Sequence, residues 1–174
     1  VLIIDKFEPV NGVLRLPDSY EGKPISMIAR SREAYSADTS DVKEIIIPDN
    51  ITIIEDFAFL ACWFANKIVI GNNVTHIGEY AFCKCAEVAE IFIPNSVKEI
   101  GHGAICAIPE LKKVEIDCDT IKDWFSDGFE LFFTDLIIGE NVEVISPSAF
   151  MVCTTIERLT ISKNVREIGE EAFI

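Results

Sequence analysis

The sequence predicts a solenoid of stacked coils, because one apolar motif returns along the chain at a nearly fixed spacing. Six short apolar segments carry it, and their first residues are separated by steps of 23, 23, 23, 22 and 23 residues. These first residues are Ile45, Ile68, Ile91, Val114, Leu136 and Leu159. A fixed period in this range is typical of solenoids, in which each unit buries its apolar side only against its neighbours. The 49% of hydrophobic residues suffices for a continuous core.

Each apolar segment is predicted to be a short strand that ends in a turn. In residues 91–93 two isoleucines flank Phe92, so the isoleucines face one way and the phenylalanine the other. Pro94 follows, and proline ends a strand because it has no N–H for the ladder. Asn95 then favours a turn. Stacked coils would place these strands ~4.8 Å apart in one parallel sheet.

The second half of each unit is predicted to return the chain to the interior and fill it. In the second unit Val74 and Ile77 turn inward, and Gly78 permits a backbone conformation that other residues resist. Ala81 fits where backbones crowd, and Phe82 supplies volume. Because one coil cannot bury enough surface alone, we expect the array to melt largely as a whole.

We predict that residues 1–174 form one array without internal boundaries. Residues 1–43 would contain an N-terminal cap and a first irregular repeat, in which residues 21–24 separate Leu14 and Leu16 from Ile25 and Ile28. Regular repeats would fill residues 44–174. The chain stops just after Ala172 and Phe173, which we interpret as an unfinished coil and a sign of further repeats.

A degenerate unit is predicted at residues 114–135, where the pattern returns if one residue is inserted and two are removed. In this alignment Ile121 replaces the valine of the pattern and Trp124 replaces its isoleucine. Gly128 and Phe129 would then replace the Ala-Phe pair, and Phe133 would restart the strand.

Net charge and hydropathy exclude several functional classes. The net charge of −14 disfavours nucleic acids and anionic lipid surfaces, so no nucleic-acid partner is expected. No apolar run approaches 18 residues, so no membrane insertion is expected in this chain. The first residues also lack the long apolar stretch of a signal peptide.

The repeat resembles the BspA-like branch of the leucine-rich repeat superfamily. Residues 91–101 and 77–85 carry the resemblance, together with Gly22, Pro24 and Ile25 of the opening unit. It covers about residues 13–174 and implies a leucine-rich repeat solenoid of the α/β horseshoe superfamily, rich in strand and turn with little long helix. It also implies a surface-exposed or secreted bacterial or protozoan protein, with adhesion to host proteins or other cells among the attributed roles.

The six cysteines are interpreted mainly as buried small residues. Cys62, Cys85 and Cys153 share one column of the repeat and should point inward. A disulfide between Cys62 and Cys85 is conceivable from the spacing of adjacent coils. Cys106 and Cys118 lie in other columns. The Cys-x-Cys spacing at residues 83–85 does not match a zinc pair.

No catalytic, metal or cofactor site is predicted. The two histidines, His76 and His102, sit at different offsets within their repeats, which disfavours a shared metal site. No serine-histidine-aspartate constellation or glycine-rich phosphate loop is present. An acidic cluster in the irregular unit could hold calcium, although clustered carboxylates are more often solvated. Its members are Asp117, Asp119, Asp123, Asp127 and Glu130.

The outward strand column is the candidate binding surface. Its proposed binding residues are Ile46, Val69, Phe92, Glu115, Ile137 and Thr160. Ile46, Val69 and Phe92 would lie side by side as an apolar stripe that marks a docking face. Alternatively, β-branched residues simply favour strands and shield one another.

The sequence therefore predicts a non-catalytic protein-binding module, with an unknown host or cell-surface protein as ligand and an extracellular or cell-surface location taken from the resemblance. The alternative is a structural spacer or self-associating scaffold within a larger surface protein.

Overall fold

The computed structural model describes residues 2–3, 10–29, 41–122, 124–125, 131 and 133–174. These residues form a parallel β-solenoid of about 5 turns with a spacing of about 23 residues, and none of them is in a helix. The strands are β1 (Leu2–Ile3), β2 (Val13–Arg15), β3 (Ser19–Tyr20), β4 (Lys23–Pro24), β5 (Met27–Ala29), β6 (Glu44–Ile46), β7 (Ile53–Ile54), β8 (Lys67–Val69), β9 (His76–Ile77), β10 (Glu90–Ile93), β11 (Glu99–Ile100), β12 (Lys113–Ile116), β13 (Thr120–Ile121), β14 (Asp135–Ile138), β15 (Val144–Ile145), β16 (Arg158–Ile161) and β17 (Glu167–Ile168).

Two strands per coil build two separate stacks. The first stack contains the Ile-x-Ile strands in two sheets, β2-β6-β8 and β10-β12-β14-β16. The second contains the strands that end the Val-x-x-Ile pattern, in the sheets β1-β5-β7-β9-β11 and β13-β15-β17. All pairs within these four sheets are parallel. The sequence pattern predicted the first stack, and the second was expected only as a turn.

The predicted parallel solenoid is confirmed, and its first stack is divided between two sheets. The strands β8 and β10 are spatial neighbours, but they belong to different sheets. In the sheet β10-β12-β14-β16 the residue after a strand donates its N–H to the preceding coil, as Asp117 does to the Ile93 carbonyl at 2.9 Å and Gly139 to the Ile116 carbonyl at 2.7 Å. Pro94 follows β10 and cannot donate in this way because it has no N–H. The corresponding hydrogen bond is therefore absent between β8 and β10.

A ladder of turns forms the third side of each coil. Phe57, Phe59 and Ala61 donate their backbone N–H groups to the Glu79, Ala81 and Cys83 carbonyls of the next coil, at 2.8, 2.8 and 2.9 Å. Several of the turn residues adopt positive φ although they are not glycine. They include Phe57, Ala61, Tyr80, Lys84, Ala107, Ser148 and Glu171. Hydrogen bonds between coils thus stabilise a backbone that isolated turns of these residues would not favour.

The core is continuous from coil to coil, as predicted. Phe59, Phe82 and Phe150 are 0%, 0% and 1% exposed. The rings of Phe59 and Phe82 stack with centroids 5.4 Å apart, and those of Phe150 and Phe173 stack at 5.2 Å. Burial of such rings in one column is the main source of hydrophobic stabilisation in each coil.

The alignment of the degenerate unit needs correction. Ile121 pairs in register with Ile145, so it occupies the isoleucine column and not the valine column. Cys118, three residues earlier and fully buried, takes the valine position, because the connection from the first strand to the second is two residues shorter here. Trp124 therefore does not replace the isoleucine.

The aromatic column of that unit is filled by Phe125, whose ring stacks on Phe150 at 5.4 Å. Phe133 is fully buried and meets Phe125 edge to face at 6.2 Å, in agreement with its predicted place at the start of a strand. The predicted substitutes Gly128 and Phe129 lie outside the described residues.

The irregular first unit contains a hairpin. Strands β3 and β4 pair antiparallel, and the two residues between them, Glu21 and Gly22, have φ of 51° and 74°. Two consecutive positive φ values are typical of the tight hairpin turn whose twist matches its flanking strands. The insertion expected at residues 21–24 thus forms part of a β-hairpin.

Glycine after the second strand permits close approach of coils. A Cβ on Gly78 would lie 2.4 Å from the Asp56 nitrogen and 2.5 Å from the Glu55 carbonyl carbon. These contacts are backbone atoms of the preceding coil, so they cannot rotate away. The glycine is therefore required by the distance between coils.

We predict that Gly78→Ala lowers the free energy of unfolding by about 1–3 kcal/mol, because the added methyl group pushes two coils apart. The matched control is Ser146→Ala at the same point of a later coil, where a Cβ is already present; it should change stability by less than about 0.5 kcal/mol. Urea denaturation followed by circular dichroism measures both. Equal effects of the two substitutions would contradict this explanation.

Candidate functional site

The predicted binding column faces outward along the first stack. Val69 and Phe92 are 38% and 44% exposed, and Thr160 is also exposed. Ile46, Glu115 and Ile137 are half-buried. The residues on either side of this column, such as Ile91 and Ile93, point into the core at 2% and 0% exposure. The structure therefore places all six residues on one surface, which we call the strand face.

The apolar part of the strand face crosses the gap between the two sheets. Ile46 and Val69 are register partners, as are Phe92 and Glu115. Val69 and Phe92 lie in neighbouring coils whose strands are not paired. Farther along, the column continues through Ile137 to Thr160. The exposed apolar side chains are thus concentrated in the coils next to the gap.

A column of alternating charge borders the strand face. The first residues of its strands from β6 to β16 alternate in sign, and parallel in-register stacking places each charge beside its opposite within a sheet. These residues are Glu44, Lys67, Glu90, Lys113, Asp135 and Arg158.

Ion pairs form between neighbouring members of this column. Lys67 Nζ lies 3.7 Å from Glu44 Oε2, and Lys113 Nζ lies 3.7 Å from Glu90 Oε2. Arg158 pairs with Asp135. We call the six residues the charge column.

Neighbouring charges shift the pKa values of two residues of the charge column, Lys113 and Asp135. The Glu115 carboxylate, 3.3 Å from Lys113 Nζ, raises the pKa of Lys113, and Glu90 adds to this shift. A hydrogen bond from Arg158 lowers the pKa of Asp135. Both shifts favour the charged forms of Lys113 and Asp135.

Sequence reasoning missed an exposed aromatic pair in the turn before β8. Trp63 and Phe64 are 48% and 41% exposed, and they lie four and three residues before the start of that strand. Lys84 Nζ lies 5.7 Å from the Trp63 ring centre, and Lys43 Nζ lies 4.8 Å from that of Phe64. Cations at this distance are attracted by the aromatic face. The detectable signal was that the next repeat carries Ala86 and Glu87 at these positions.

Cys62, Cys85 and Cys153 point inward as predicted, at 2%, 0% and 7% exposure. Cys85 Sγ lies 3.5 Å from the Phe59 carbonyl oxygen, to which its thiol donates. Burial raises the pKa of Cys153 to about 12, so its thiol stays protonated. No cysteine in the described part of the chain is in a disulfide, and that includes the conceivable Cys62–Cys85 pair.

A second cysteine pair was overlooked. Cys106 Sγ lies 2.8 Å from Cys83 Sγ in the adjacent coil. The two residues are 23 positions apart, so they share a column, and this column differs from that of Cys62, Cys85 and Cys153. The spacing alone was the signal that could have found this pair.

The described acidic residues of the proposed calcium cluster contact protein groups. Asp117 accepts hydrogen bonds from the Asn141 backbone N–H at 3.1 Å and from its side chain at 2.6 Å. Asp119 pairs with Lys98 at 2.9 Å. Asp123, Asp127 and Glu130 lie outside the described residues. Within the described ranges, no group of three or more histidine, cysteine or acidic side chains could hold a metal ion.

The histidines are not brought together at a site. His76 is exposed on β9 and lies 2.8 Å from the Thr75 hydroxyl, measured from Nδ1. His102 packs edge to face against Tyr80, with ring centres 5.6 Å apart.

Among the described residues, no helix is long and apolar enough to span a membrane.

Comparison with known proteins identifies the repeat. The family model described as BspA type leucine rich repeat region matches residues 31–131 and 128–174, in 6 copies. No curated protein matches the sequence significantly.

Solved structures with the same fold are bacterial leucine-rich repeat proteins. The T. pallidum leucine rich repeat protein is 22% identical, with a TM-score of 0.56 over 84% of this chain and 78% of that one. A leucine rich cell surface protein from Faecalibacterium prausnitzii is 26% identical, with a TM-score of 0.58 over 95% of this chain. The present chain covers 45% of that protein. The leucine-rich repeat fold predicted from the sequence is thereby confirmed.

We predict that Lys113→Glu lowers the free energy of unfolding by about 0.5–1 kcal/mol at low salt, because it places like charges together in the charge column. Since ions screen exposed charges, the loss should shrink in 0.5 M NaCl, where the Debye length is only about 4 Å. Urea denaturation at both salt concentrations measures this effect.

The double variant Glu90→Lys/Lys113→Glu is the control, because it restores one pair of opposite charges in reversed order. It should recover part of the lost stability. A double variant no more stable than Lys113→Glu would show that the cross-strand pair is not the cause.

Proposed function

The chain belongs to the BspA type leucine-rich repeat family, and on that premise we propose that it is a non-catalytic protein-binding module that recognises its ligand on the strand face. The ligand class is a host or cell-surface protein, and the role is adhesion or cell interaction. The carrying observation is the exposed apolar pair Val69 and Phe92 on a surface otherwise bordered by charge.

The composition of the strand face supports recognition of a protein. Exposed apolar side chains rimmed by charged groups are typical of protein interaction surfaces. Here Phe92 supplies an aromatic anchor, while Lys67 and Glu90 supply the polar rim at the start of the same strands. The exposed rings of Trp63 and Phe64 add aromatic area in the turn before β8. Aromatic residues are enriched among the side chains that contribute most to binding.

The rigidity of the surface also supports this proposal. Val69 and Phe92 lie on strands whose flanking residues are anchored in the core, so their positions are determined before a ligand arrives. A binding surface on strands loses less conformational entropy than one on loops. The charge column would steer association and discriminate partners more than it would add affinity.

An extracellular or cell-surface location is part of the proposal. It is supported by the similar F. prausnitzii protein, which is described as a leucine rich cell surface protein. A net charge of −14 suits a protein that remains soluble while exposing apolar side chains.

We predict that Val69→Glu and Phe92→Glu each weaken binding to a protein ligand by about 30-fold or more, the loss expected for a buried anchor. The probe is a panel of purified extracellular-matrix and cell-surface proteins immobilised for surface plasmon resonance. His76→Glu is the matched control, because His76 is exposed in the same coil as Val69 but on the second stack.

Circular dichroism and the melting temperature establish that each variant is folded. A panel member that binds all three variants as tightly as wild type would contradict the strand face as the binding surface.

Self-association is the second candidate function, and the apolar stripe of the strand face favours it. Val69 and Phe92 are 38% and 44% exposed, although the residues that flank Phe92 in its strand are buried in the core. A second copy that docks on the strand face would cover these two side chains.

Under self-association, sedimentation velocity should show a sedimentation coefficient that rises with protein concentration. The combined variant Val69→Lys/Phe92→Lys should remove this rise, because it places charges on the apolar stripe of the strand face. His76→Lys on the second stack is the control and should leave the rise unchanged. A wild-type monomer at all concentrations would rule out self-association and leave the protein-binding proposal standing.

A further inference from the structure

Cys83 and Cys106 are brought together by the stacking of two coils. Phe82 donates its N–H to the Ala104 carbonyl at 2.8 Å, and Lys84 donates to the Cys106 carbonyl at 3.1 Å. In a parallel ladder these bonds make Cys83 and Cys106 direct partners. Partners in adjacent strands lie about 4.8 Å apart, and disulfide-bonded cysteines need Cα atoms about 4.4–6.8 Å apart. The backbone therefore needs no rearrangement to allow a bond between them.

The two thiols lie on the outer side of the turn ladder. They are 5% and 2% exposed, yet neither belongs to the continuous cluster of buried apolar side chains, which does contain Cys62 and Cys85. The same column holds Met151, which is 38% exposed in a later coil. Cys83 and Cys106 are thus covered by a shallow layer of neighbouring groups.

We propose that Cys83 and Cys106 are a redox pair, which forms a disulfide between coils when the protein meets an external disulfide of low molecular weight. The sulfur atoms are already 2.8 Å apart, so only a small side-chain movement is needed. This site is independent of the strand face and of the proposed binding function.

The chemistry is two successive thiol–disulfide exchanges. The Cys83 thiolate attacks one sulfur of the external disulfide, forms a mixed disulfide and releases the first small thiolate. Cys106 then loses its proton and attacks the Cys83 sulfur, which forms the protein disulfide and releases the second small thiolate. The two protein thiols together lose two electrons and two protons, and the external disulfide is reduced to two thiols.

The surroundings assign the roles of nucleophile and resolving thiol. The Cys106 thiol donates a hydrogen bond to Cys83, which lowers the pKa of Cys83, and the neighbouring Lys84 ammonium acts in the same direction. The pKa of Cys106 is raised by the same contact and by burial. Thiolate character therefore develops first at Cys83, which is the form that attacks.

Cys62 and Cys85 provide an internal control. They are also 23 positions apart, but they point into the apolar core, and the pKa of Cys85 is raised well above its ordinary value by its contact with Cys62 and by burial. An external disulfide has no access to them while the coils remain stacked. The two pairs thus share their spacing and differ in the side of the backbone to which they point.

To test the proposal, the native protein is incubated with oxidised glutathione. Free thiols are then blocked, and the peptides are mapped after digestion with trypsin. Cleavage after Lys84 separates Cys83 from Cys85, so the four cysteines fall on four different peptides. We expect the peptide of residues 68–84 to be joined to that of residues 99–112, with the peptides of residues 44–67 and 85–98 blocked as free thiols. Cys62→Ser should not change this result, whereas Cys106→Ser should leave Cys83 as a mixed disulfide.

The disulfide should also raise the melting temperature by roughly 5–10 °C, since it closes a loop of one repeat. Wild-type protein supplies both states, so this comparison does not depend on how well a variant folds. Three results would each overturn the proposal. The first is free thiols at Cys83 and Cys106 after the incubation, and the second is a mixed disulfide at Cys83 that does not proceed to the Cys83–Cys106 disulfide in wild type. The third is a cross-link between the peptides of residues 44–67 and 85–98 that forms as fast as the one between Cys83 and Cys106.

Discussion

In-register stacking of coils is the constraint on which the rest of the structure depends. Since strands of neighbouring coils pair in parallel, each residue lies beside the residue about 23 positions away. Residues of the same type in neighbouring coils therefore lie next to each other. This arrangement is favourable for the stacked rings of Phe59 and Phe82 in the core. Like charges would repel in the same arrangement. The charge column avoids this repulsion by alternating sign from coil to coil, as in the pair of Glu90 and Lys113.

Close approach of the coils explains which residues occupy the corners. Gly78 leaves room for the backbone of the preceding coil, and no side chain would fit there without displacing it. Asparagine side chains satisfy polar groups where the chain turns, as when Asn73 donates to the Asp49 carbonyl at 2.8 Å and Asn164 to that of Glu140 at 2.8 Å. The outer surface is then free to vary, and the strand face is the part whose exposed apolar side chains favour binding.

Departures from the sequence prediction have local causes. The periodicity placed Phe82 and Cys85 in the core correctly, because inward columns recur in phase. It failed at Ile121, where two residues are lost between the first and second strands, and a match of residue types could not locate that shortening. It also left Cys106 without an assignment to the column of Cys83. Periodicity places Cys83 and Cys106 in one column, but only the turn ladder shows that their sulfur atoms meet outside the core.

The sequence by itself determined the repeat, the solenoid and the direction in which most strand residues point, because each follows from a fixed period and from alternation along a strand. The tertiary structure decided where the first stack divides into two sheets, since the pairing of strands depends on how neighbouring coils pack. It also decided which exposed rings lie near a cation, such as Phe64 beside Lys43. Distances between residues of different coils depend on how two backbones pack, and no pattern along one chain specifies them.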